Sequence, residues 1–386
     1  MVAVTKVMPL EGIVVLDFTQ VTMGPCATQT LGDFGADVIK VERPGVGDLS
    51  RTAVQDPGGL DNPSFWAFNR NKRSVAFDMR SEDGQATVKA LALCADVVVS
   101  NFRPGVMARM GLGYEALACE NPRLIWAEGT GFGEEGPYRH KGGQDVLAQA
   151  YSGVMDRRCD PADEVRVYPT ALCDYTTGMH LVQGILLALL ARDRSGIGQK
   201  VSVSLYDSML AMQMQEGSMR MNRGVDLNWG AMPLSGAFAT SDGAICVVGA
   251  FKQNPLSDIC AALELDEDLS QRPEFATAEA QMRSRGELQE IFRRQFATDT
   301  TAHWMRRFES QDLLCAPVRS LEQALADEQT AINGMILTVG TDSRGADMRA
   351  IGSPVHLSAT PATVRYRPPL LGEHTDEVVA EFGLKQ

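Results

Sequence analysis

The sequence has no excess of basic charge. Its 36 Lys and Arg residues stand against 49 Asp and Glu residues, which gives a formal net charge of −13 over 386 residues. It also has no long basic run and no interleaving of basic and aromatic residues, so a nucleic-acid partner is not expected. An anionic small ligand remains compatible with this charge, because a binding site needs only a few local cations.

Paired cysteines and long apolar runs are also missing. None of the eight cysteines belongs to a CxxC motif or a Cys/His cluster, so we expect no metal site. Scattered cysteines in a chain of this length are typical of the reducing cytosol. The first ten residues lack the apolar core of a signal peptide. The apolar run at 181–191 is too short for a membrane span. We therefore predict a cytoplasmic protein with no membrane partner.

Two phosphate-binding signatures are absent as well. The first strand–helix unit lacks G-x-G-x-x-G, and the glycine-rich segment 129–136 is followed by Pro137 instead of Gly-Lys-Ser/Thr and a helix. These absences argue against the dinucleotide fingerprint and the P-loop. We interpret 129–136 as a flexible loop beside a ligand site.

Predicted strands alternate with predicted helices through the first 204 residues. The strands are expected at 13–18, 37–41, 74–77, 95–100, 124–128 and 199–204. Such alternation implies parallel strands with right-handed crossovers. We predict an α/β fold with a Rossmann-like parallel-sheet large domain and a small α+β domain. The boundaries are 1–222 for the N-terminal part of the large domain, 223–234 for a linker, 235–319 for the small domain, and 320–386 for a return linker and the C-terminal part of the large domain.

Four arginines follow the ends of successive predicted strands: Arg43, Arg80, Arg103 and Arg109. Ligands of open parallel sheets bind outside the carboxyl ends of the strands. These cations therefore indicate a site for a polyanion such as a nucleotide diphosphate, although each alone could be a solvated rim charge. A basic segment at 69–73 is interpreted either as a phosphate contact or as a solvated turn.

The stretch 167–192 is where we place the chemistry. Its apolar spacing predicts a largely buried helix capped by Thr176 or Thr177, with Asp174 just before it. A carboxylate there lies near free backbone N–H groups and is expected to stay ionised at neutral pH. Asp174 is either a helix cap or a carboxylate nucleophile that forms a covalent acyl intermediate. The neighbouring Cys173 is interpreted as a small core residue, and His180 as a hydrogen-bonded helix histidine.

A series of short motifs resembles the class III CoA-transferases, the CaiB/BaiF family, over nearly the whole chain. In order they are L-D-F-T-x-V-x-x-G-P at 16–25, G-A-D-V-I-K-V-E-R at 35–43, N-x-N-K-R-S at 69–74, A-D-V-V-V-S-N-F-R-P-G at 95–105, L-A-Q-A-x-S-G at 147–153, D-Y-T-T-G-M-H at 174–180, S-G-x-G-Q at 195–199 and L-G-E-H-T at 371–375. Each motif alone is weak, but their order and spacing are specific.

The resemblance implies a site and a reaction. Asp174 matches the family's nucleophile, and CoA contacts are implied at Val21, Arg43, Asn101, Phe102 and Arg109, and more loosely at Phe77, Arg80 and Lys141. The implied reaction transfers CoA from an acyl-CoA to a small carboxylic acid through an acyl-aspartyl anhydride and an aspartyl–CoA thioester. It requires no metal and no permanently bound cofactor. Family members resemble interlocked homodimers. Backbone N–H groups near Gly178 or in the 129–136 loop are candidates for oxyanion stabilisation.

Departures from the family pattern leave alternatives open. Members that use formate and oxalate carry Gln where this chain has Thr22, and a glycine run where this chain has 249–255, so oxalate is in doubt as acceptor. Thr22, Met23 and 249–255 are expected to shape the acyl pocket. The related α-methylacyl-CoA racemases read G-H-D where this chain has Gln144, which cannot shuttle a proton at neutral pH. A racemase is therefore the second interpretation, and a catalytically silent CoA-binding protein is the third.

Overall fold

The computed structural model describes residues 7–53, 62–160, 162–249 and 252–384. The chain divides by its contacts into two units. The larger comprises Met1–Met155, Val167–Met214 and Gln329–Gln386, and the smaller comprises Asp156–Arg166 and Gln215–Glu328. These divisions differ from the predicted boundaries at 222, 234 and 319, since they fall after residues 214 and 328 and also group residues 156–166 with the smaller unit.

The strands and helices in chain order have the following bounds. The strands are β1 Val14–Asp17, β2 Asp37–Glu42, β3 Lys72–Ala76, β4 Val97–Ser100, β5 Ile125–Thr130, β6 Lys200–Ser204, β7 Ser235–Ala239, β8 Ala244–Val248, β9 Leu314–Pro317, β10 Ile336–Thr341 and β11 Asp347–Ile351. The helices are α1 Met23–Asp33, α2 Pro63–Trp66, α3 Glu82–Cys94, α4 Val106–Arg109, α5 Tyr114–Ala118, α6 Asp145–Tyr151, α7 Leu172–Ser195, α8 Leu205–Met212, α9 Met214–Arg223, α10 Pro255–Ala262, α11 Ala278–Arg283, α12 Arg285–Phe296, α13 Thr301–Ser310, α14 Leu321–Leu325, α15 Glu328–Ile332 and α16 Thr375–Glu381. Helices α8 and α9 are separated only by Gln213.

The larger unit is built on a six-stranded sheet with the order β3-β2-β1-β4-β5-β6. All five strand pairs are parallel. This is the strand order of a doubly wound Rossmann-like fold, so the predicted α/β class is confirmed. The order reverses between β1 and β4. The carboxyl ends of these two strands therefore open a crevice of the kind where ligands bind in such sheets.

Both faces of the inner strands are largely apolar, because helices cover the sheet on both sides. One face packs against α1 and α7, and the other packs against α3 and α16. The first face uses Val15, Val38, Val97, Val99 and Ile125, and the second uses Leu16, Ile39, Val75, Val98 and Trp126. This alternation matches the two-residue period of a strand. It explains why the strands read as continuous apolar runs in the sequence.

The edge strand β3 is covered by residues 372–375, which belong to the last motif of the sequence. The Ser74 N–H donates to His374 Nδ1 at 3.2 Å, and the His374 N–H donates to the Ser74 carbonyl at 2.9 Å. The Ala76 N–H donates to Thr375 Oγ1 at 3.0 Å. The C-terminal segment thus satisfies backbone groups that an open sheet edge would expose.

The basic segment 69–73 is neither a phosphate contact nor a solvated turn, so both predictions for it are wrong. All five residues are buried. Arg70 pairs with Asp33 at 2.6 Å, and the Lys72 ammonium lies 3.0 Å from Asp17. The acids that neutralise these cations come from α1 and β1, far away in sequence. The segment is therefore an internal ionic core of the larger unit.

The smaller unit is an α+β structure. Its antiparallel sheet has the order β7-β8-β9, and α10, α12 and α13 cover it. Phe238, Phe292, Phe296, Trp304 and Phe308 form the aromatic centre of its core. The Phe238 and Phe296 rings are stacked, with centroids 4.8 Å apart. In the part of the chain that the structure describes, none of the helices has the length and apolarity needed to cross a bilayer.

Candidate active site

The helix that carries Asp174 begins earlier than predicted. Helix α7 starts at Leu172, so Asp174 lies inside its first turn. The predicted caps are wrong, because Thr176 Oγ1 donates to the Leu172 carbonyl at 2.7 Å from within the helix and Thr177 is fully buried. Asp174 does not cap the helix either, since Ala171 occupies the N-cap position and no side-chain cap bond forms there.

A second carboxylate, Asp145, takes the free N–H groups of this first turn. Its Oδ2 accepts from the Cys173 N–H at 2.7 Å and from the Asp174 N–H at 3.0 Å. Its Oδ1 accepts from Gln149 Nε2 at 2.7 Å, and the buried Gln149 also bonds the backbone of Tyr168. Asp145 therefore caps α7 from α6. Sequence reasoning missed this role because the two residues are 29 positions apart.

The Asp174 carboxylate is left without a neutralising partner. Among the described residues, no cation and no hydrogen-bond donor contacts it, although it is largely withdrawn from solvent. Burial and then the negative charge of Asp145 raise the pKa of Asp174 from 3.8 to about 6. With this pKa the carboxylate is still mostly ionised at neutral pH, but the predicted reason is wrong, because Asp145 takes the N–H groups of the first turn. Asp174 is therefore more basic than an ordinary aspartate.

Two buried thiols lie near this carboxylate. Burial first, and then the charges of Asp145 and Asp174, raise the pKa of Cys173 to about 12. Burial raises the pKa of Cys26 to about 11, and the charge of Asp174 adds to this effect. Neither thiol is therefore ionised at neutral pH, and a thiolate is the nucleophilic form of cysteine. Cys173 is a fully buried core residue, as predicted.

The raised pKa of Asp174 predicts a pH-dependent cost in stability. Between about pH 4 and pH 6 the folded protein holds this proton more tightly than the unfolded chain, so stability falls as the pH rises through that window. Asp174→Asn removes the charge. We expect it to raise the free energy of unfolding by about 1–3 kcal/mol at pH 8 and by much less at pH 4. Urea unfolding of both proteins at the two pH values measures this difference. An equal gain at both would show that the charge is not the cause.

Close backbone packing fixes α7 against the rest of the crevice. A Cβ on Gly178 would lie 2.7 Å from the Met23 carbonyl oxygen, and a Cβ on Gly129 would lie 2.4 Å from Met23 Sδ. Met23, the first residue of α1, thus touches both α7 and the end of β5. Gly178 lies inside α7, where helical bonding uses its own N–H, so that group is not available to an oxyanion. The 129–136 loop stays a prediction for this role.

Several predicted ligand contacts share the carboxyl edge of the sheet. Asn101 follows β4 and bridges to the loop after β1: its Oδ1 accepts from the Gln20 N–H at 2.9 Å, and its Nδ2 donates to the Gln20 carbonyl at 2.8 Å. Val21 and Phe102 are the next residues along these two segments. The Phe77 N–H donates to the Glu42 carbonyl at 3.1 Å, so Phe77 lies beside the residue that precedes Arg43.

The four strand-end arginines are exposed, and no described acidic side chain pairs with any of them. Arg103 and Arg109 line one cleft of about 340 Å³, together with Arg139, His140 and Lys200. Arg43 and Arg80 lie outside the lining of that cleft, at the ends of β2 and β3. The structure therefore brings two of the four arginines together, while the other two follow along the same edge of the sheet.

The glycine-rich loop after β5 is anchored by its side chains. Phe132 is buried, and its ring centroid lies 5.7 Å from that of Tyr138 and 5.1 Å from that of Tyr151. Glu134 forms an ion pair with Lys200. The predicted CoA contact Lys141 lies over the same tyrosines, with its ammonium 4.4 Å and 4.7 Å from their ring centroids.

Other predictions have simpler outcomes. His180 Nδ1 lies 3.0 Å from Ser208 Oγ, so this histidine is hydrogen-bonded as expected. Residues 250–251 of the segment 249–255, expected to shape the acyl pocket, lie outside the described residues. Within the described residues, no group of three or more His, Cys, Asp or Glu side chains is arranged to hold a metal ion.

Fold and site together define a class of protein: a doubly wound α/β enzyme in which, among the described residues, no acidic side chain pairs with the arginines at the carboxyl edge of the sheet and no cation neutralises the separate carboxylate of Asp174. Residues 10–375 match the sequence profile described as CoA-transferase family III, and the chain belongs to that family. It is thus a family III CoA-transferase.

The chain is similar to proteins with established names. It is 35% identical to the succinyl-CoA:glutarate CoA-transferase of Mus musculus, over 97% of this chain and 86% of that protein. It is 34% identical to a formyl-CoA:oxalate CoA-transferase of Rhodopseudomonas palustris, over 96% and 93%. Its structure resembles a CaiB/BaiF family protein from Brucella suis with a TM-score of 0.85 and 29% identity, covering 97% and 99% of the two chains. These comparisons give the racemase interpretation no support over the transferase one.

Proposed function

We propose that the enzyme transfers CoA from an acyl-CoA to a small carboxylic acid through covalent intermediates on Asp174. The observation that carries the proposal is the Asp174 carboxylate itself, which is partly buried, has no partner among the described residues, and is made more basic by burial and by Asp145. A carboxylate with these properties attacks a carbonyl carbon more readily than one held in an ion pair. The thiols beside it are protonated at neutral pH and do not compete.

The first half of the reaction releases the donor acid. A carboxylate oxygen of Asp174 attacks the thioester carbonyl carbon, the C–S bond breaks, and CoA leaves as a thiolate with the electron pair. The product is an acyl-aspartyl anhydride. The thiolate then attacks the Asp174 carbonyl carbon of this anhydride and expels the donor acid as a carboxylate. An aspartyl–CoA thioester remains, and no electrons are gained or lost overall.

The second half reverses these steps with the acceptor. The acceptor carboxylate attacks the aspartyl thioester, which forms a second anhydride and releases the CoA thiolate. The thiolate attacks the acceptor's acyl carbon, and Asp174 is restored as a carboxylate. Each acylation of Asp174 removes the negative charge that lies close to Asp145. The repulsion that raises the pKa of the free carboxylate therefore favours the covalent intermediates.

CoA is proposed to lie along the carboxyl edge of the sheet. The unpaired guanidinium groups of Arg43, Arg80 and Arg109 are available for its phosphates, with Lys141 as a further cation. Val21, Phe77, Asn101 and Phe102 are proposed to contact its uncharged parts. Holding the thiolate in this crevice keeps it close to the anhydride, so that it recaptures the acyl group before water does.

The acids are proposed to be small, since the similar transferases are named for succinyl-CoA and glutarate or for formyl-CoA and oxalate. Thr22 and Met23 are proposed to line the acyl pocket at the start of α1. The resemblance also implies an interlocked homodimer, and the scattered cysteines favour the reducing cytosol as its compartment. Exposed leucines on the outer face of α7 favour an interface with a second copy of the chain, since Leu187 is 67% exposed and Leu190 is 57% exposed.

Trapping of the intermediate tests the proposal. The enzyme is incubated with a panel of acyl-CoAs, treated with hydroxylamine, and digested for mass spectrometry. We expect a hydroxamate on the peptide that contains Asp174, formed only in the presence of a suitable acyl-CoA. Exchange of the substrate's α-hydrogen for deuterium without any acceptor acid would instead indicate a racemase. CoA binding without any adduct across the panel would indicate a silent binding protein.

A further inference from the structure

The loop that leaves β1 has an unusual backbone conformation at the crevice. Val21 has φ of +68°, a left-handed value that β-branched residues rarely adopt. Its side chain is 42% exposed, so close packing of the side chain does not account for this conformation. Strained residues of this kind persist only where surrounding bonds hold them, and they cluster at functional sites.

The bonds that hold this loop come from a buried ion pair. Asp48 Oδ1 accepts from the Val21 N–H at 3.0 Å, and Asp48 Oδ2 lies 2.8 Å from the Lys40 ammonium. Lys40 also donates to the Thr19 carbonyl at 2.7 Å. Both side chains are buried. One carboxylate therefore joins the loop after β1 to a cation on β2.

The backbone polar groups of residues 19–21 are almost all used inside the protein. Asp17 accepts from the Thr19 N–H, Lys40 donates to the Thr19 carbonyl, and Asn101 bonds both the N–H and the carbonyl of Gln20. Asp48 accepts from the Val21 N–H. The Val21 carbonyl is different, since no described residue donates to it. It is thus a fixed acceptor at the crevice between β1 and β4.

We propose that Asp48 and Lys40 are positioning residues that hold the Val21 main chain so that its carbonyl accepts a hydrogen bond from an N–H group of CoA. This inference rests on the proposed CoA site. The cofactor offers such donors in its adenine amino group and in the two amides of its pantetheine arm. Asp48 and Lys40 touch neither CoA nor the reacting atoms, and they act through the conformation of Val21.

Paired substitutions at Val21 separate backbone shape from side-chain contact. Val21→Gly keeps the N–H and adopts positive φ without strain, whereas Val21→Pro removes the N–H and fixes φ near −65°. We expect the proline variant to raise the KM for acyl-CoA, and the Kd for CoA by calorimetry, at least about tenfold. The glycine variant loses the side chain but keeps the N–H and the positive φ, so we expect a clearly smaller rise in both constants, and kcat at saturation should be similar in the two variants.

Variants of Asp48 test its hydrogen bond to the Val21 N–H. Asp48→Ala is expected to raise KM and Kd about tenfold, while Asp48→Asn, which can still accept from the Val21 N–H, restores most of the affinity. Asp33→Asn is the matched control, because Asp33 is equally buried in a pair with Arg70 and lies away from the crevice. It should lower the melting temperature without changing Kd.

Three results would overturn the proposal: equal effects of Asp48→Asn and Asp48→Ala, equal effects of Val21→Gly and Val21→Pro, or a comparable rise in Kd for Asp33→Asn. If Asp48→Ala does not fold, the comparison of Val21→Gly with Val21→Pro still tests the proposal. Repeating the Val21 pair with acyl-pantetheine identifies the donor, since a proline effect that persists points to a pantetheine amide and one that vanishes points to adenine. The calorimetric Kd remains informative if no adduct forms on Asp174, so failure of the proposed chemistry is distinguishable from failure of this inference.

Discussion

Asp174→Asn is expected to lower kcat for CoA transfer by about 10³-fold or more, since no other described side chain can replace the nucleophile. The buried thiols of Cys26 and Cys173 are protonated at neutral pH, and Asp145 uses its carboxylate to cap α7. CoA should still bind, because the arginines lie elsewhere along the sheet. Steady-state rates with a donor and an acceptor acid, together with calorimetric CoA binding, measure both properties.

A matched control for this variant is Glu287→Gln. Glu287 is also an acidic residue in the first turn of a helix, but it is exposed and lies on α12 of the smaller unit. It should leave kcat unchanged. Retention of full transferase activity by Asp174→Asn would contradict the proposed reaction. Loss of CoA binding in that variant would instead mean that the residue has a structural role.

The same carboxylate predicts the pH dependence of the wild-type enzyme. Only the ionised form of Asp174 is a nucleophile, so kcat/KM should fall about tenfold per pH unit below the pKa of about 6. Asp145→Asn removes the nearby negative charge and should move this fall to lower pH. A profile that is flat down to about pH 4.5 would argue against Asp174 as the reacting group.

Lys72→Met is expected to lower the free energy of unfolding by about 3–5 kcal/mol. The Lys72 ammonium is fully buried and contacts Asp17 Oδ2 at 3.0 Å, Asn69 Oδ1 at 3.0 Å and the Pro25 carbonyl at 3.1 Å. Its removal leaves the fully buried Asp17 with Lys40 as the remaining cation near it. Most of this loss of stability comes from leaving the Asp17 carboxylate buried without its main partner, and less comes from the lost attraction between the two charges.

The exposed pair of Lys89 and Glu120 supplies the control. Its two side chains are 42% and 50% exposed, so Lys89→Met should cost no more than about 1 kcal/mol. Urea unfolding followed by circular dichroism compares the two variants.

Burial lowers the pKa of Lys72 to about 8, which shows that this charge is expensive to bury. Adding Asp17→Asn to Lys72→Met should therefore recover part of the loss, and equal costs at Lys72 and Lys89 would contradict this account.

Features of the fold that depend on residues close together in the sequence could be predicted from the sequence. The apolar runs and the strand–helix alternation predict a parallel sheet, and the structure confirms it with the order β3-β2-β1-β4-β5-β6. The carboxyl ends of parallel strands share one edge, so the strand ends also predict where Arg43 and Asn101 lie. The importance of Asp174 is predicted by its place beside a long apolar helix and by the family motifs, and its chemical role stays a proposal.

The sequence by itself determined the class of the fold, the edge of the sheet that carries the residues proposed to bind the ligand, and the segment that carries Asp174. Tertiary structure decided which charges meet. It placed Asp145 on the first turn of α7, turned the basic segment 69–73 into a buried ionic core, and set Asp48 on the Val21 N–H. Periodicity in a sequence reports which side of an element is buried. The partner of a buried charge depends on distances between elements far apart in the chain, and those distances exist only after the sheet and its helices have packed.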